Sequence, residues 1–196
     1  MPWLFLAYPL LAHLAALLHS QALAGLALVV FIAIPLLPQL LHGRRTAWLV
    51  LLASATTLVL LARSGLAMQL IYLPPILIPL SVCLVFAGSL RAGHTPLVSQ
   101  LAARIRGTAL PPELERYTRR VTQVWAAVLA CLATSSLLFA LFASRELWSL
   151  MTNLVMYLIL GAMFVLEYGY RRWRFRHLEH ERFATMVGAL FKGGVR

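Results

Sequence analysis

The chain contains no aspartate, a single lysine and two cysteines in 196 residues. The absence of Asp excludes sites built on Asp-rich metal clusters and acyltransferase motifs that contain Asp. Charged residues make up 12% of the chain, which is about half of the roughly 25% that soluble domains carry. This shortage of charge indicates that most of the chain does not form a water-exposed surface.

Side chains that could bind a metal are also scarce. Cys83 and Cys131 both lie inside apolar segments, where cysteine usually behaves as a small hydrophobic residue. His177 and His180 could present two nitrogens to a metal, but two histidines without a third fixed ligand are weak evidence for a site. We therefore predict no metal and no cofactor.

Long apolar segments dominate what is present. Hydrophobic residues make up 61% of the chain, and mostly apolar stretches of eighteen or more residues without a charge recur, which is typical of transmembrane helices. We predict an all-α integral membrane bundle that forms a single domain over residues 1–196. About six transmembrane helices are expected, at about residues 3–18, 22–41, 46–62, 66–90, 121–142 and 147–170.

Basic residues are distributed unevenly between these segments. If each segment crosses the membrane once, fifteen of the seventeen Arg and Lys residues lie on one face, and only Arg63 and Arg145 lie on the other. Cytoplasmic loops are the ones enriched in Lys and Arg. The pattern therefore predicts that both termini are cytosolic.

Three prolines interrupt the fourth predicted helix. Pro74, Pro75 and Pro79 each remove an amide donor and clash with the carbonyl four residues earlier. We expect a kink or break between Tyr72 and Pro79, packed inside the bundle so that the freed carbonyls find partners. Two interpretations are open: a bend that shapes packing, or the wall of a cavity at mid-membrane depth.

Residues 91–120 and 171–196 are predicted to form a basic cytosolic cap. Pro96–Arg106 has the pattern of a short amphipathic helix with a basic face, which Gly107 ends. Pro111, Pro112 and Glu113 are typical of the start of a new helix, which is expected to continue into the segment 121–142. The tail 171–196 has apolar residues at helical spacing and is predicted to be a second interfacial helix.

The arginines of this cap are more numerous than membrane topology requires. They could contact anionic lipid headgroups, at about 1 kcal/mol for each basic residue near the surface. They could instead bind an acidic protein or a phosphate-bearing substrate, because Arg makes bidentate contacts with carboxylate and phosphate. Nucleic acid is a poor candidate, since these arginines lie close to the membrane plane. The candidate partner- or phosphate-binding residues are Arg104, Arg106, Arg116, Tyr117, Arg119, Arg120, Arg171, Arg172 and Arg174.

Glu167 is the one candidate catalytic residue. An acidic residue in an apolar helix is a functional candidate by default. Arg171 follows it by four residues, however, and this spacing also predicts a structural ion pair. As the base of an acyl- or lipid-transferase, Glu167 would need a cavity that opens to the cytosol and is bounded by the proline break. A transporter is a further alternative, but His13, Gln69, Tyr72 and Asn153 are few polar residues for a transport path.

Several motifs of the chain resemble those of one uncharacterised family of bacterial multi-pass membrane proteins. The resemblance covers most of residues 70–185, and its most specific part is the arginine–tyrosine–threonine motif. The proline-rich break of the fourth helix also fits. The matching segments are Leu90–Leu97 (LRAGHTPL), Leu110–Glu113 (LPPE), Arg116–Thr122 (RYTRRVT) with Trp125, and Glu167–Arg172 (EYGYRR) with Phe175.

Members of that family are encoded among genes for aryl-polyene and xanthomonadin-type pigments and related fatty-acid-like pathways. The resemblance therefore implies a bacterial inner-membrane component of such a pathway, with acyl carrier protein or other pathway enzymes as partners in addition to anionic lipid. Some members carry the label "ketosynthase". Both cysteines here lie in apolar segments without a basic neighbour that would favour a thiolate, so the sequence does not support that activity.

Overall fold

A computed structural model describes residues 6–107 and 109–175 of the chain, and all regular elements of this part are helices. The prediction of an all-α fold is confirmed. Most of the predicted tail, together with His177 and His180, lies outside the described residues. The helices are α1 (Ala7–Leu17), α2 (Gln21–Leu41), α3 (Arg45–Arg63), α4 (Ala67–Leu70), α5 (Pro74–Ser89), α6 (Leu97–Arg106), α7 (Pro112–Phe142), α8 (Arg145–Leu150) and α9 (Met156–Arg174), with a π-helical turn (Met151–Val155) between the last two.

Five helical segments of the described chain are long and apolar enough to cross a membrane. The sixth predicted crossing corresponds to α1, which has 11 residues. A perpendicular crossing of the hydrocarbon core needs about 20 residues, so α1 is short for a span. The five long segments are Gln21–Leu41, Arg45–Arg63, Ala67–Ser89, Pro112–Phe142 and Arg145–Arg174.

The described residues divide into two compact units. Residues within Met1–Pro79 and Cys131–Leu158 form the first unit, and residues within Leu80–Ala130 and Ile159–Arg196 form the second. The second unit contains α6, the polar first turns of α7 and the C-terminal part of α9, and it holds all nine predicted partner- or phosphate-binding residues.

Ordinary capping chemistry explains where several helices begin and end. The Ser20 and Ser144 hydroxyls each accept a hydrogen bond from an amide of the following first turn, at 3.3 Å, which starts α2 and α8. Helix α7 begins at Pro112 with an acidic residue directly after it, as predicted. Gly107 ends α6 with φ +68°, a conformation that costs other residues about 1–2 kcal/mol.

The proline break lies slightly earlier than the sequence predicts. Residues 71–73 form the break, whereas residues 74–79 are helical. A regular helix is possible there because Pro74 and Pro75 occupy the first turn of α5, where the missing amides have no helical partner to lose. Pro79 lies one turn further on and is buried like the other two. The proline segment therefore starts a new helix instead of bending an existing one.

Two polar side chains of the first unit satisfy the backbone at this break. The Tyr8 hydroxyl donates a hydrogen bond to the carbonyl of Ile71 at 3.3 Å. The Gln21 side-chain oxygen accepts one from the amide of Met68 at 2.9 Å. Ile71 lies four residues before Pro75, so its carbonyl is one that the prolines free, and the expectation that such carbonyls find protein partners is met there. The Met68 amide instead belongs to the first turn of α4, where it has no helical partner.

The first unit also contains a partly buried polar cluster beside the π-helical turn. The Ser149 hydroxyl lies 2.9 Å from Nδ1 of His13 and accepts a hydrogen bond from the Asn153 amide at 3.1 Å. Next to Ser149, the fully buried Trp148 ring packs against Tyr72, with ring centroids 4.3 Å apart. Two of the polar residues considered for a transport path, His13 and Asn153, are therefore hydrogen-bonded to one side chain within the helix packing.

Candidate functional site

The candidate site is a groove of about 620 Å3 in the second unit, formed by one face of α7 and one face of α9. A volume of this size is in the usual range for small-molecule sites. Its polar residues are Glu113, Arg116, Tyr117, Arg120, Glu167 and Arg174, and its remaining lining residues are Val121, Val124, Trp125, Met163, Leu166, Tyr170 and Phe175.

Glu167 lies at the centre of the polar half. Its Oε1 atom accepts a hydrogen bond from the Tyr117 hydroxyl at 3.1 Å and lies 3.4 Å from Nε of Arg171. The Glu167 side chain is 17% exposed. The predicted pairing with Arg171 is therefore present, and Tyr117 adds a contact across the groove. A phenol with a pKa of about 10 is protonated at neutral pH, so Tyr117 acts as the donor.

The Tyr117 ring is held by aromatic neighbours on the other helix. It stacks on Tyr170 with centroids 5.8 Å apart and makes an edge contact with Phe175 at 5.0 Å. Further along the groove, Trp125 packs against Phe164 with centroids 4.7 Å apart. These contacts join α7 to α9 at both ends of the groove.

A second ion pair crosses the groove at its polar end. Nη2 of Arg174 lies 2.9 Å from Oε1 of Glu113, and both side chains are about half exposed. Such an exposed pair contributes less than about 1 kcal/mol, since solvent screens it. For ligand binding, the important point is that Arg174 is already paired with the Glu113 carboxylate.

Arg116 and Arg120 differ from Arg174, the third arginine that lines the groove, because neither has such an acidic partner in the described residues. They lie one helical turn apart on α7, and both are exposed. Within residues 6–107 and 109–175, neither of them forms an ion pair with a carboxylate. The Nε of Arg116 donates to the backbone carbonyl of Pro112, at 3.3 Å. The groove therefore carries excess positive charge on its α7 rim.

The remaining predicted arginines do not line the groove. Arg119 lies on another face of α7 and donates to the carbonyl of Leu90 at 3.4 Å. Arg172 donates to the Tyr168 hydroxyl at the same distance. Arg104 and Arg106 lie in the last turn of α6. The structure thus brings Arg116, Arg120 and Arg174 together around Glu167 and Tyr117, and Arg171 joins them through its ion pair.

The apolar half of the groove was not predicted as part of a site. Val121, Val124 and Trp125 line it from α7, and Met163 and Leu166 line it from α9. Each of these residues is typical of a transmembrane helix, so nothing in its local sequence distinguishes it from a lipid-facing position. The partial exception is Trp125, because it is one of the residues that carry the family resemblance together with Arg116–Thr122.

The prolines do not bound this groove. A cavity does reach Glu167, as the catalytic interpretation requires, but Pro74, Pro75 and Pro79 are not among its lining residues. Within the described part of the chain, no group of three or more His, Cys, Asp or Glu side chains could hold a metal ion. The arrangement is suited to holding an anion next to an apolar chain.

Comparison of the chain with protein-family models, with curated proteins and with solved structures finds no match.

Proposed function

We propose that this protein is a membrane component of an aryl-polyene or fatty-acid-like biosynthetic system, and that it docks acidic acyl carrier protein or acidic partner enzymes at the bacterial inner membrane. Both termini and the groove face the cytosol in this proposal. The observation that carries it is the exposed pair Arg116 and Arg120, which has no acidic partner in the described chain. The one-sided distribution of Arg and Lys supports the orientation.

The pairing pattern favours two arginines over the rest of the basic cap as the docking residues. Arg171 and Arg174 would have to give up Glu167 and Glu113 before they could bind a new carboxylate. Arg116 and Arg120 have no carboxylate partner to give up within residues 6–107 and 109–175. Charges at the rim of an interface mainly raise the association rate and make it depend on salt. We therefore expect fast, salt-sensitive docking.

Binding of purified acyl carrier protein to the full chain in nanodiscs of neutral phosphatidylcholine tests this proposal. Arg116→Ala together with Arg120→Ala is expected to weaken binding by roughly tenfold, because two exposed charge contacts of about 0.7 kcal/mol each are lost. Wild-type binding should also weaken as salt is raised from 50 to about 300 mM, since the Debye length becomes shorter.

The charge-matched control is Arg44→Ala with Arg45→Ala. These two arginines are exposed, are predicted to lie on the same side of the membrane, and do not line the groove. Equal weakening by both double variants would mean that only net charge matters. Unchanged capture by Arg116→Ala/Arg120→Ala would reject docking through this rim.

A second candidate function, acyl or lipid transfer with Glu167 as a base, is favoured by one observation: the groove reaches the Glu167 carboxylate. Glu167→Gln keeps the size of the side chain and removes the base. Transfer of a radiolabelled acyl group to membrane lipid should then stop, whereas carrier-protein binding should be retained. Absence of any transfer by the wild-type protein with its carrier partner would leave docking as the function.

A further inference from the structure

Beyond Arg116 and Arg120, the groove continues as a section lined by apolar side chains. Along α7, Val124 lies four residues after Arg120, which is about 6 Å at 1.5 Å per residue. Val124 is 50% exposed and Leu166, on the α9 wall, is 67% exposed. Trp125 lies deeper, at 8% exposure, and packs against Phe164. Polar and apolar linings are therefore separated along the helix axis.

This separation specifies a ligand with two chemically different ends. Arg116 and Arg120 offer two planar guanidinium groups without a carboxylate partner in the described chain, and such groups bind carboxylates through paired hydrogen bonds. The wall formed by Val124, Leu166 and Met163 offers hydrocarbon contacts and no hydrogen-bonding side chain. A purely apolar ligand would leave the arginine pair unused, and a small anion would leave the apolar wall unused.

We propose that the groove binds a single-chain anionic amphiphile, a long-chain carboxylate, with its headgroup on Arg116 and Arg120 and its chain against Val124, Met163 and Leu166. The proposal names the ligand class of the docking site, and it rests on the proposed function for the biological source of the chain. A docked carrier protein would deliver or collect such a chain beside Arg116 and Arg120, the residues proposed to bind the acidic surface of the carrier.

One chain, and not a two-chain phospholipid, is the occupant that the walls favour. The apolar lining consists of one strip on each of two helices that contact each other through Tyr117 with Glu167 and through Trp125 with Phe164. A strip of this kind provides contacts for one hydrocarbon chain. Phospholipid remains the competing occupant, and the experiment separates the two.

Photo-crosslinking of the purified full chain tests the proposal. The probe is hexadecanoic acid with a mid-chain diazirine, added to nanodiscs of neutral phosphatidylcholine, and adducts are mapped by mass spectrometry. We expect adducts concentrated in the α7 and α9 segments 112–125 and 163–175. Unlabelled palmitate should compete at least tenfold better than hexadecanol, which has the same chain without the charge.

Two variants fill the groove from opposite walls. Val124→Trp and Leu166→Trp should each reduce groove adducts at least fivefold. Leu138→Trp is the matched control, because Leu138 is also 50% exposed, lies on α7 and does not line the groove. Arg116→Ala/Arg120→Ala should retain labelling but lose the preference for palmitate over hexadecanol. Circular dichroism and the melting temperature of each variant verify folding.

Four results would overturn the proposal. Adducts spread evenly over all apolar helices, or adducts unchanged by both groove-filling variants, would mean that the probe only partitions into surrounding lipid. Equal competition by palmitate and hexadecanol would remove the headgroup assignment. Competition by phosphatidylglycerol as strong as that by palmitate would identify the occupant as membrane phospholipid.

The crosslinking assay contains no carrier protein, so its outcome is independent of docking. Groove adducts with the expected competition, combined with no carrier binding, would refute the proposed function and leave the amphiphile site in place. Carrier binding without groove adducts would refute the amphiphile site and leave the proposed docking function in place.

Discussion

At the scale of single residues, Tyr117 makes more side-chain contacts across the groove than any charged residue does. Its hydroxyl contacts the Glu167 carboxylate, and its ring contacts Tyr170 and Phe175. Because Glu167 and Tyr170 lie on α9, these contacts help to hold α7 and α9 at the spacing that defines the groove. A change at Tyr117 should therefore affect stability as well as binding.

Tyr117→Phe removes the hydroxyl and keeps the ring. We expect a loss of about 1–2 kcal/mol in the free energy of unfolding, because a hydrogen bond to a carboxylate is lost from a partly buried site. Urea titration or thermal melting in a mild detergent measures it. The control is Tyr170→Phe, whose hydroxyl makes no hydrogen bond within the described residues and whose change should be below about 0.5 kcal/mol. Equal losses in both variants would contradict the role of the Glu167 contact.

The sequence predicted the contacts of Glu167 only in part. Its pairing with Arg171 follows from a spacing of four residues on one helix, which is a local property. Its contact with Tyr117 joins residues 50 positions apart, and no local pattern encodes that distance. For the same reason, the sequence presented the predicted arginines as one equivalent set, although their partners in the fold differ.

At the scale of elements, α6 is more than a helix lying on a lipid surface. Ser99 is fully buried, and its hydroxyl lies 2.6 Å from that of Thr118 on α7. The Thr122 hydroxyl accepts a hydrogen bond from the Val98 amide at 3.3 Å, and Ser89 accepts one from the Leu97 amide at 3.0 Å. Two threonines of the arginine–tyrosine–threonine motif therefore fasten α6 to α7.

Ser99→Leu should release α6 from α7. The larger side chain has no space at a position with 0% exposure, and overpacking of this kind costs about 1–3 kcal/mol in addition to the lost hydrogen bond. Hydrogen–deuterium exchange of residues 97–106 should accelerate at least tenfold, while residues 21–41 remain protected. Arg104→Leu, at an exposed position of the same helix, should leave exchange unchanged. Protection of 97–106 in Ser99→Leu would mean that other contacts hold α6.

The bounds of α6 and the continuous course of α7 were predictable because their signals are local. The periodicity of apolar residues, the proline start and the glycine end each act within a few positions. The position of the proline break was less predictable. Whether Pro74 interrupts a helix or starts one depends on partners for the preceding backbone, and Tyr8 and Gln21 supply these from distant parts of the chain.

At the scale of the whole molecule, the pattern of apolar segments and basic turns predicts one orientation. In the part of the chain that the structure describes, five segments are long enough to cross a membrane, and α1 is a shorter apolar helix. Because Arg and Lys concentrate in alternate connections, the connections that contain Ser64 and Ala92 should lie on opposite sides.

Cysteine labelling in intact bacterial cells checks this orientation. In a background with Cys83→Ala and Cys131→Ala, Ser64→Cys should react with a membrane-impermeant maleimide. Ala92→Cys and Ala109→Cys, which are also exposed positions, should react only after the membrane is permeabilised. The reverse pattern would place the arginine groove outside the cytosol and would exclude docking of cytosolic carrier proteins.

By itself, the sequence determined the helical class, the apolar segments and the uneven distribution of basic charge, because hydropathy, periodicity and charge are properties of consecutive residues. Only the tertiary structure decided which arginines have carboxylate partners, which pair at the rim has none among the described residues, and which ordinary valine, leucine and methionine residues form an apolar wall. These features arise where α7 meets α9, and contacts between residues about 50 positions apart depend on how the helices pack, which local composition does not specify.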